Sequence, residues 1–139
     1  MAKTASFKCS VITPERSVLE CEADFVAFPA HDGEIGILRN RAPLICRMGI
    51  GIMRLHTSDG KREIFVDGGF AQVHDNQLTL LTEQAREASE ITVDGANQAM
   101  VEARALPVQD ESSSDARTKA VHRAKLQLKL AQRDTQSTR

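Results

Sequence analysis

Up to about residue 84, short apolar segments alternate with clusters of turn residues. Within residues 7–12, apolar and polar side chains follow each other with a period of two, as in a strand that buries one face. Further apolar segments follow at intervals of about eight to twelve residues, separated by proline, glycine, aspartate or asparagine. This spacing predicts roughly eight to ten short strands that form a β-sandwich or a flattened barrel.

Two hairpins and one irregular strand position are predicted within this region. Asp59-Gly60 lies between apolar segments and suits the positive φ angles of a two-residue type I′ turn. A second turn is expected over residues 74–77. Gly68 and Gly69 predict a bulge or a close approach of the backbone. The apolar segments on either side of this pair, and of the glycine at position 49, are predicted as separate strands: 44–48, 50–55, 64–66 and 70–73.

From about residue 84 onward, the apolar positions recur at three and four residues, which indicates helices. Thr92 is expected to cap a helix that begins just after it and ends before Pro107. Residues 109–114 are predicted as a polar loop, after which Ser114 or Asp115 caps a second helix. One face of that second helix is rich in alanine: Ala116, Ala120, Val121, Ala124, Leu128 and Ala131.

The two predicted helices differ in charge. Residues 83–115 contain eight acidic and two basic side chains, whereas residues 116–133 contain six basic side chains and no acidic one. Exposed charge pairs contribute about 0.2–1 kcal/mol each, and alanine buries little area. Contacts this weak between the two helices can be broken at small cost, so the pattern favours a movable helical hairpin over residues 87–139. A β-sandwich domain is predicted over residues 1–86. A permanently docked hairpin with a merely solvated basic face is the alternative.

Composition argues against several classes of protein. A net charge of −1 argues against general nucleic-acid binding. No segment approaches the roughly 18 to 20 apolar residues of a membrane span, and the N-terminus lacks a signal-peptide core. The chain is therefore expected to fold in the cytosol or in an equivalent compartment. Cys9, Cys21 and Cys46 lack the close spacing of zinc ligands and are expected to be reduced thiols on strands. Neither a metal nor another cofactor is predicted.

No catalytic motif is recognisable. The glycines within 33–36 and 49–51 are too closely spaced for a dinucleotide-binding motif, and no serine lies in a nucleophile elbow. Glu34 is the acidic residue that stands out. An enzyme that uses Glu34 and His31 as an acid–base pair is one alternative, although no nucleophile or binding loop accompanies them. A small-ligand-binding β-sandwich sensor with a helical dimerisation tail is another.

Residues 31–44, HDGEIGILRNRAPL, predict a tight turn, a short strand and a second turn closed by proline. The segment resembles the signature of the epsilon subunit of rotary F-type ATP synthases, which reads close to G-E-x-G-I, a small loop and A-P-L. The strand-rich front, the glycine pair at 68–69 and the alanine-rich helices extend the resemblance over nearly the whole chain. The residues that match the signature are Gly33, Glu34, Gly36, Ile37, Ala42, Pro43 and Leu44.

The resemblance implies a β plus α fold, in which a ten-stranded β-sandwich precedes an antiparallel two-helix hairpin. It implies a non-catalytic central-stalk subunit that couples proton-driven rotation of the c-ring to ATP synthesis. Such a subunit would lie peripherally at the cytoplasmic face of the bacterial inner membrane, with the gamma subunit, the c-ring and the alpha and beta catalytic subunits as partners. Asp32, Gly33 and Glu34 correspond to the turn that faces the c-ring, where an acidic lip would suit basic and polar loops.

In this family the hairpin can extend along gamma and restrain ATP hydrolysis, and its basic second helix then meets an acidic segment of a beta subunit. The residues expected at that contact are Arg117, Arg123, Lys125 and Lys129. Some members bind ATP in the hairpin through a motif close to I/L-D-x-x-R-A. Here Asp94 is kept, but Asn97 stands where the arginine would lie, so weak or no ATP binding is expected.

Overall fold

The computed structural model describes the backbone of residues 6–137 and the side chains of residues 6–133. Residues 1–5 and 138–139 of the two predicted domains lie outside the described residues. The chain divides into two compact units, Met1–Arg86 and Glu87–Arg139. Its elements are β1 (Phe7–Ile12), β2 (Ser17–Ala23), β3 (Phe25–Ala30), β4 (Gly33–Ile37), β5 (Leu44–Thr57), β6 (Gly60–His74), β7 (Gln77–Leu81), β8 (Ala85–Glu87), a 3-10 helix (Ala88–Glu90), α1 (Val93–Arg104) and α2 (Glu111–Ser137).

The eight described strands form one sheet in the order β2-β1-β7-β6-β5-β3-β4, and β8 pairs with β6. Consecutive strands in this order are antiparallel, except that β1 and β7 are parallel. β2 also contacts β5, which lies four places away in this order. The sheet therefore curls, so that strands near opposite ends approach each other. The eight described strands fall within the eight to ten that the spacing predicts, whereas the ten that the resemblance implies are wrong for the part of the chain that the structure describes.

The strand count differs because β5 and β6 are single strands of 14 and 15 residues, each of which the sequence pattern divides in two. Their cross-strand register is constant along both strands, so the glycines within them do not end either strand. At Gly69, φ is 102°, and a Cβ atom would overlap the carbonyl oxygen of Leu81. Only glycine fits this position, which confirms the close approach predicted for the glycine pair.

The turns follow the prediction in part. Asp75 and Asn76 join β6 to β7 with φ angles of 50° and 59°, as a type I′ turn within residues 74–77 requires. In the turn between β5 and β6, Asp59 keeps a negative φ, and Gly60, at 125°, is already the first residue of β6. The type I′ assignment there is wrong, because the two turn residues precede the glycine.

The core of the sheet unit consists of large aliphatic and aromatic side chains. Buried residues from both ends of the strand order contribute to one hydrophobic cluster. Burial of each such side chain contributes about 1.5–3 kcal/mol. The largest fully buried ones in this unit include Phe28, Ile37, Met53, Leu55, Ile64, Phe65, Leu78 and Leu80.

The first helix begins as predicted. Thr92 is the N-cap of α1, and its side-chain oxygen accepts a hydrogen bond of 2.9 Å from the Gly95 amide. This bond satisfies one of the amides that have no partner within the helix. The last residue of α1 is Arg104, so the helix ends three residues before Pro107.

The second helix begins earlier than predicted. α2 starts at Glu111, within the expected loop over residues 109–114. Asp110 caps it, because its Oδ1 accepts a hydrogen bond of 2.8 Å from the Ser113 amide. Ser113 Oγ in turn accepts a bond of 3.0 Å from the Asp110 amide. This reciprocal pair of bonds has the logic of a capping box and explains why Ser114 and Asp115 are not the cap.

The two helices pack against each other, and α2 also contacts the 3-10 helix that precedes α1. They are joined by residues 105–110, a connection short enough to place antiparallel neighbours. Of the predicted alanine-rich face, Ala116 is exposed. The buried residues of the two helices are mostly small: Ala96, Ala103, Ala124, Gln127, Leu130 and Ala131.

Candidate functional site

The turn over residues 31–34 is exposed and joins β3 to β4. Gly33 pairs with the last residue of β3, so His31 and Asp32 are the two turn residues. Gly33 has a φ of 146°, and a Cβ atom there would meet nothing within 4 Å. Backbone conformation, and not lack of space, therefore favours glycine at this position. The three residues predicted to contact the c-ring, Asp32, Gly33 and Glu34, are adjacent and exposed.

Glu34 does not present a free carboxylate. Its Oε1 accepts a hydrogen bond of 2.6 Å from Nη2 of Arg54 on β5, and the two side chains are 50% and 47% exposed. The pair spans β3, where Pro29 lies opposite Glu34 and Ala27 lies opposite Arg54. The lip is therefore less acidic than expected: Arg54 compensates the charge of Glu34, and Asp32 has no ion pair among the described residues.

The groups beside this turn do not form an acid–base pair. Among the described residues, Glu34 hydrogen-bonds with Arg54 and not with His31. His31 is tied to β5 through its main chain: its backbone amide donates a hydrogen bond of 3.0 Å to the carbonyl of Arg47. Burial, and to a smaller extent the Asp32 carboxylate, raises the pKa of the nearby Cys46 thiol. The pairing needed for the enzyme alternative is not assembled.

The four basic residues predicted on α2 are of two kinds. Lys125 and Lys129 are exposed and lie one helical turn apart. Arg117 is half-buried, and its Nε donates at 3.3 Å to the carbonyl of Arg104, the last residue of α1. Arg123 is also half-buried. The hairpin as described therefore presents the two lysines openly and uses Arg117 to satisfy the end of α1.

Two exposed bases of α2, Lys119 and Arg133, are absent from the contact predicted from the sequence. Exposed positions recur along this helix at intervals of three and four residues, which marks one face. Lys119 belongs to that face, whereas the predicted Arg117 and Arg123 lie beside it. The pattern of burial along the helix could have identified Lys119, but only once the packed face was known. The exposed residues on this face include Asp115, Lys119, His122, Lys125 and Lys129.

Asp94 and Asn97 are both exposed on α1, within one turn of each other. Asp94 lies in the first turn, where a carboxylate interacts favourably with the positive end of the helix dipole. A Cβ atom at Gly95 would lie 2.8 Å from Thr92 Oγ1, so glycine leaves room for the capping hydroxyl. Neither Asp94 nor Asn97 supplies a cation for a phosphate group.

The described residues assemble neither a metal centre nor a membrane-spanning helix. No group of three or more His, Cys, Asp or Glu side chains within residues 6–133 is placed to hold a metal ion. Neither described helix combines the length and the apolar character needed to cross a bilayer. The three cysteines are free thiols.

Comparison with known proteins gives two kinds of sequence match. A family model for the beta-sandwich domain of the delta/epsilon chain of ATP synthase matches residues 6–88. An ATP synthase epsilon chain of Rhodopirellula baltica is 44% identical over 126 residues, which cover 91% of this chain and 98% of that relative. One of Syntrophomonas wolfei is 36% identical over 132 residues, covering 93% and 96%.

Two solved structures share the fold. A chain of the Euglena gracilis mitochondrial ATP synthase, in a structure of OSCP, F1 and c-ring, aligns with a TM-score of 0.67 at 20% identity, covering 100% of this chain and 85% of that one. A chain from the central stalk and c-ring of the Tetrahymena thermophila mitochondrial ATP synthase aligns with a TM-score of 0.69 at 12% identity, covering 94% and 99%. At these identities the likeness shows the fold alone.

Proposed function

Since the chain belongs to the family of ATP synthase epsilon chains, we propose that it is a non-catalytic central-stalk subunit of a rotary F-type ATP synthase. The observation that carries the proposal is the similarity to bacterial epsilon chains, which extends over both the sheet and the hairpin. The resemblance expected from residues 31–44 is thereby confirmed. The relatives give no support to the ligand-sensor and enzyme alternatives.

The proposed partners are the gamma subunit, the c-ring and the alpha and beta catalytic subunits. The chain is proposed to lie peripherally at the cytoplasmic face of the bacterial inner membrane, held there by the complex. Affinity purification of a tagged full-length chain from detergent-solubilised membranes tests this. We expect gamma and the c-ring subunit to co-purify with the tag. Recovery of the chain alone, under conditions in which the rest of the synthase stays assembled, would contradict the proposal.

The sheet unit, residues 1–86, is proposed to be the part that binds gamma and the c-ring. We propose that its curled sheet closes as a two-layer sandwich, a shape supported by the contact between β2 and β5. Asp32, Gly33 and Glu34 are the proposed c-ring contact. Because Arg54 compensates Glu34, the contact would present one free carboxylate, that of Asp32, beside a neutral ion pair. Such an exposed contact should weaken as salt increases.

The hairpin, residues 87–139, is proposed to restrain ATP hydrolysis through an acidic segment of a beta subunit. Lys125 and Lys129 are exposed in the packed hairpin and could make the first contact. Arg117 and Arg123 are half-buried there. Separation of the two helices would release Arg117 from the Arg104 carbonyl, so we propose that the two arginines join the contact after the hairpin opens.

The hairpin is also proposed to bind ATP weakly or not at all. The Asp94 carboxylate would repel phosphate, and the Asn97 amide replaces a guanidinium that could form two charge-assisted bonds to phosphate. Both residues are exposed, so burial does not strengthen their interactions. Isothermal titration of the full-length chain with ATP tests this proposal, and an affinity in the micromolar range would overturn it.

A further inference from the structure

Two of the three cysteines face each other across neighbouring strands. In the antiparallel pairing of β1 with β2, Cys9 lies directly opposite Cys21. Residues opposite each other in an antiparallel pair project from the same face of the sheet. Cys9 is 1% exposed within the core, whereas Cys21 is partly exposed and packs against that core. Both are free thiols, and neither contributes to the proposed subunit contacts.

The backbone hydrogen bonds define the kind of pair that these cysteines form. The Lys8 amide donates to the Asn76 carbonyl at 3.3 Å, and the Ile12 carbonyl accepts from the Thr82 amide at 3.0 Å. Even-numbered residues of β1 therefore bond towards β7, and odd-numbered residues, Cys9 among them, bond towards β2. In such a hydrogen-bonded antiparallel pair the Cα atoms lie about 5.5 Å apart.

That separation allows a disulfide and also makes it labile. Disulfides span Cα distances of about 4.4–6.8 Å, so the Cys9–Cys21 pair is within range. Their Cβ atoms, however, are expected near the upper end of about 4.5–5.5 Å, against about 3.8 Å in an ordinary disulfide. The two strands would have to approach each other slightly. A bond formed under such strain is readily reduced again.

The surroundings give the two thiols different roles. Burial, with a smaller contribution from Cys21, raises the pKa of Cys9 to about 12. Burial also raises the pKa of Cys21, but the Arg62 guanidinium acts in the opposite direction. Cys21 is the more accessible thiol of the pair, and Arg62 offsets part of the effect of burial on its pKa, so a small disulfide reaches Cys21 first. Cys9 lies beside it and is protected from solvent.

We propose that Cys9 and Cys21 form a redox-responsive dithiol that reacts with small-molecule disulfides. The Cys21 thiolate attacks one sulfur of the small disulfide, forms a mixed disulfide and releases one small thiolate, which takes up a proton. Cys9 then loses its proton and attacks the Cys21 sulfur, which displaces the second small thiol and forms the cross-strand disulfide. The protein loses two electrons and two hydrogens, and the small disulfide becomes two thiols. The bond would fasten the edge strand β2 covalently to β1.

Oxidised glutathione is the probe for the test. The native full-length chain is incubated with it, quenched with acid, alkylated in denaturant and digested with trypsin. Cleavage after lysine and arginine places the three cysteines in separate peptides, 9–16, 17–39 and 42–47. We expect two of the three thiols to be lost, peptides 9–16 and 17–39 to be joined, and dithiothreitol to reverse the change. Peptide 42–47 should remain alkylated.

Matched variants separate this pair from chance oxidation. Cys46→Ser should leave the crosslink unchanged, and Cys21→Ser should abolish it. In a further variant, Cys21→Ser is combined with Glu20→Cys, which moves the thiol one residue along β2 to the opposite face of the strand, and no crosslink to Cys9 is expected. An equal yield of crosslink in that variant would overturn the proposal. So would a mixed disulfide on Cys21 that Cys9 does not resolve, or no reaction at all.

Discussion

The sheet unit and the hairpin each depend on a different kind of buried side chain for their own stability. Every strand from β3 to β7 places at least one large, fully buried side chain in the sheet unit, such as Phe28, Leu55 and Ile64. In the described part of the hairpin, Leu130 is the one comparable side chain, and alanine fills most other buried positions. Since an alanine methyl buries far less area than leucine or phenylalanine, the hairpin gains less free energy per buried residue.

The hairpin depends instead on hydrogen bonds at the ends of its helices. Thr92 caps α1, Asp110 caps α2, and Arg117 donates to the last carbonyl of α1. All three bonds are exposed, so water can replace each of them at small cost. The sheet is therefore the stable body, and the hairpin is the segment expected to open first. An element that regulates by moving has to be less stable than the rest of the subunit, and the hairpin meets this requirement.

The largest effect is expected at Gly69 in the sheet. A Cβ atom there would overlap the carbonyl oxygen of Leu81, at a φ of 102° that alanine avoids. We expect Gly69→Ala to lower the free energy of unfolding by at least about 4 kcal/mol, which combines backbone strain with the overlap. Urea unfolding of the purified chain measures this. Gly60→Ala is the matched control, since Gly60 has a φ of 125° but open space around it; equal losses would contradict the prediction.

A comparison of two buried leucines tests whether the units differ in stability. Leu55 in the sheet and Leu130 in the hairpin are both 0% exposed. Leu55→Ala should lower the stability of the whole sheet by about 2–5 kcal/mol. Leu130→Ala should instead speed hydrogen exchange within the helices and leave the unfolding midpoint of the sheet nearly unchanged. An equal shift of that midpoint by both variants would mean that the units unfold together.

Removal of α2 separates assembly from regulation. A stop codon after Gln109 removes Asp110 and the whole of α2, whereas one after Ser114 would leave its first turn. We expect the assembled complex to hydrolyse ATP about fivefold faster or more. Such a factor corresponds to the loss of a coupling free energy of about 1–3 kcal/mol between the hairpin and the catalytic sites. A chain that ends at Arg133 is the control, because it keeps Lys119, Lys125 and Lys129, the exposed lysines of α2. Unchanged hydrolysis after the longer truncation would remove the regulatory role.

A pH-dependent effect is expected at the start of α2. Hydrogen bonds from the Ser113 amide and hydroxyl lower the pKa of Asp110 below its ordinary value of 3.8. A lowered pKa in the folded state means that this cap stabilises the helix above pH 3.8 and loses its effect as pH falls through the folded value. Hydrogen exchange of amides 111–114 should therefore accelerate on acidification relative to Asp110→Asn, which caps without ionising. The same pH response in both proteins would contradict this.

Features that depend on a few neighbouring residues were predictable from the sequence. The Thr92 cap, the turn over 74–77 and the close approach at Gly68-Gly69 each follow from local residue chemistry. The start of α2 was not predictable in the same way. Several serines and acidic residues in 109–115 are all suitable caps, and the reciprocal bonds of Asp110 decide among them only in the folded chain.

Features that depend on strand register could not be read from the sequence. Arg54 lies twenty residues from Glu34, and the two meet because β5 and β4 flank β3 in a particular alignment. A shift of one residue would turn either side chain to the other face. Cys9 and Cys21 meet for the same reason. The residues of the candidate contact turn were therefore predictable, whereas the charge that the turn presents was not.

The smallest expected effect concerns the ion pair of that turn. Both side chains are about half exposed, so a double-mutant cycle of Glu34→Gln and Arg54→Gln should give a coupling free energy of about 0.2–1 kcal/mol. The coupling should fall as salt rises, because exposed charges are screened. Stability alone would then not distinguish the two residues.

Function should distinguish them in assembled membranes. Arg54→Gln releases the Glu34 carboxylate and makes the turn more acidic, whereas Glu34→Gln makes it less acidic and leaves Arg54 without its carboxylate. If the turn meets basic loops of the c-ring, salt should disrupt coupling more easily in Glu34→Gln membranes than in Arg54→Gln membranes. The readout is ATP-driven proton pumping across a salt series, with assembly checked in parallel. Wild-type pumping by Glu34→Gln at every salt concentration would show that Glu34 does not contribute to the c-ring contact, and would leave it only the structural ion pair with Arg54.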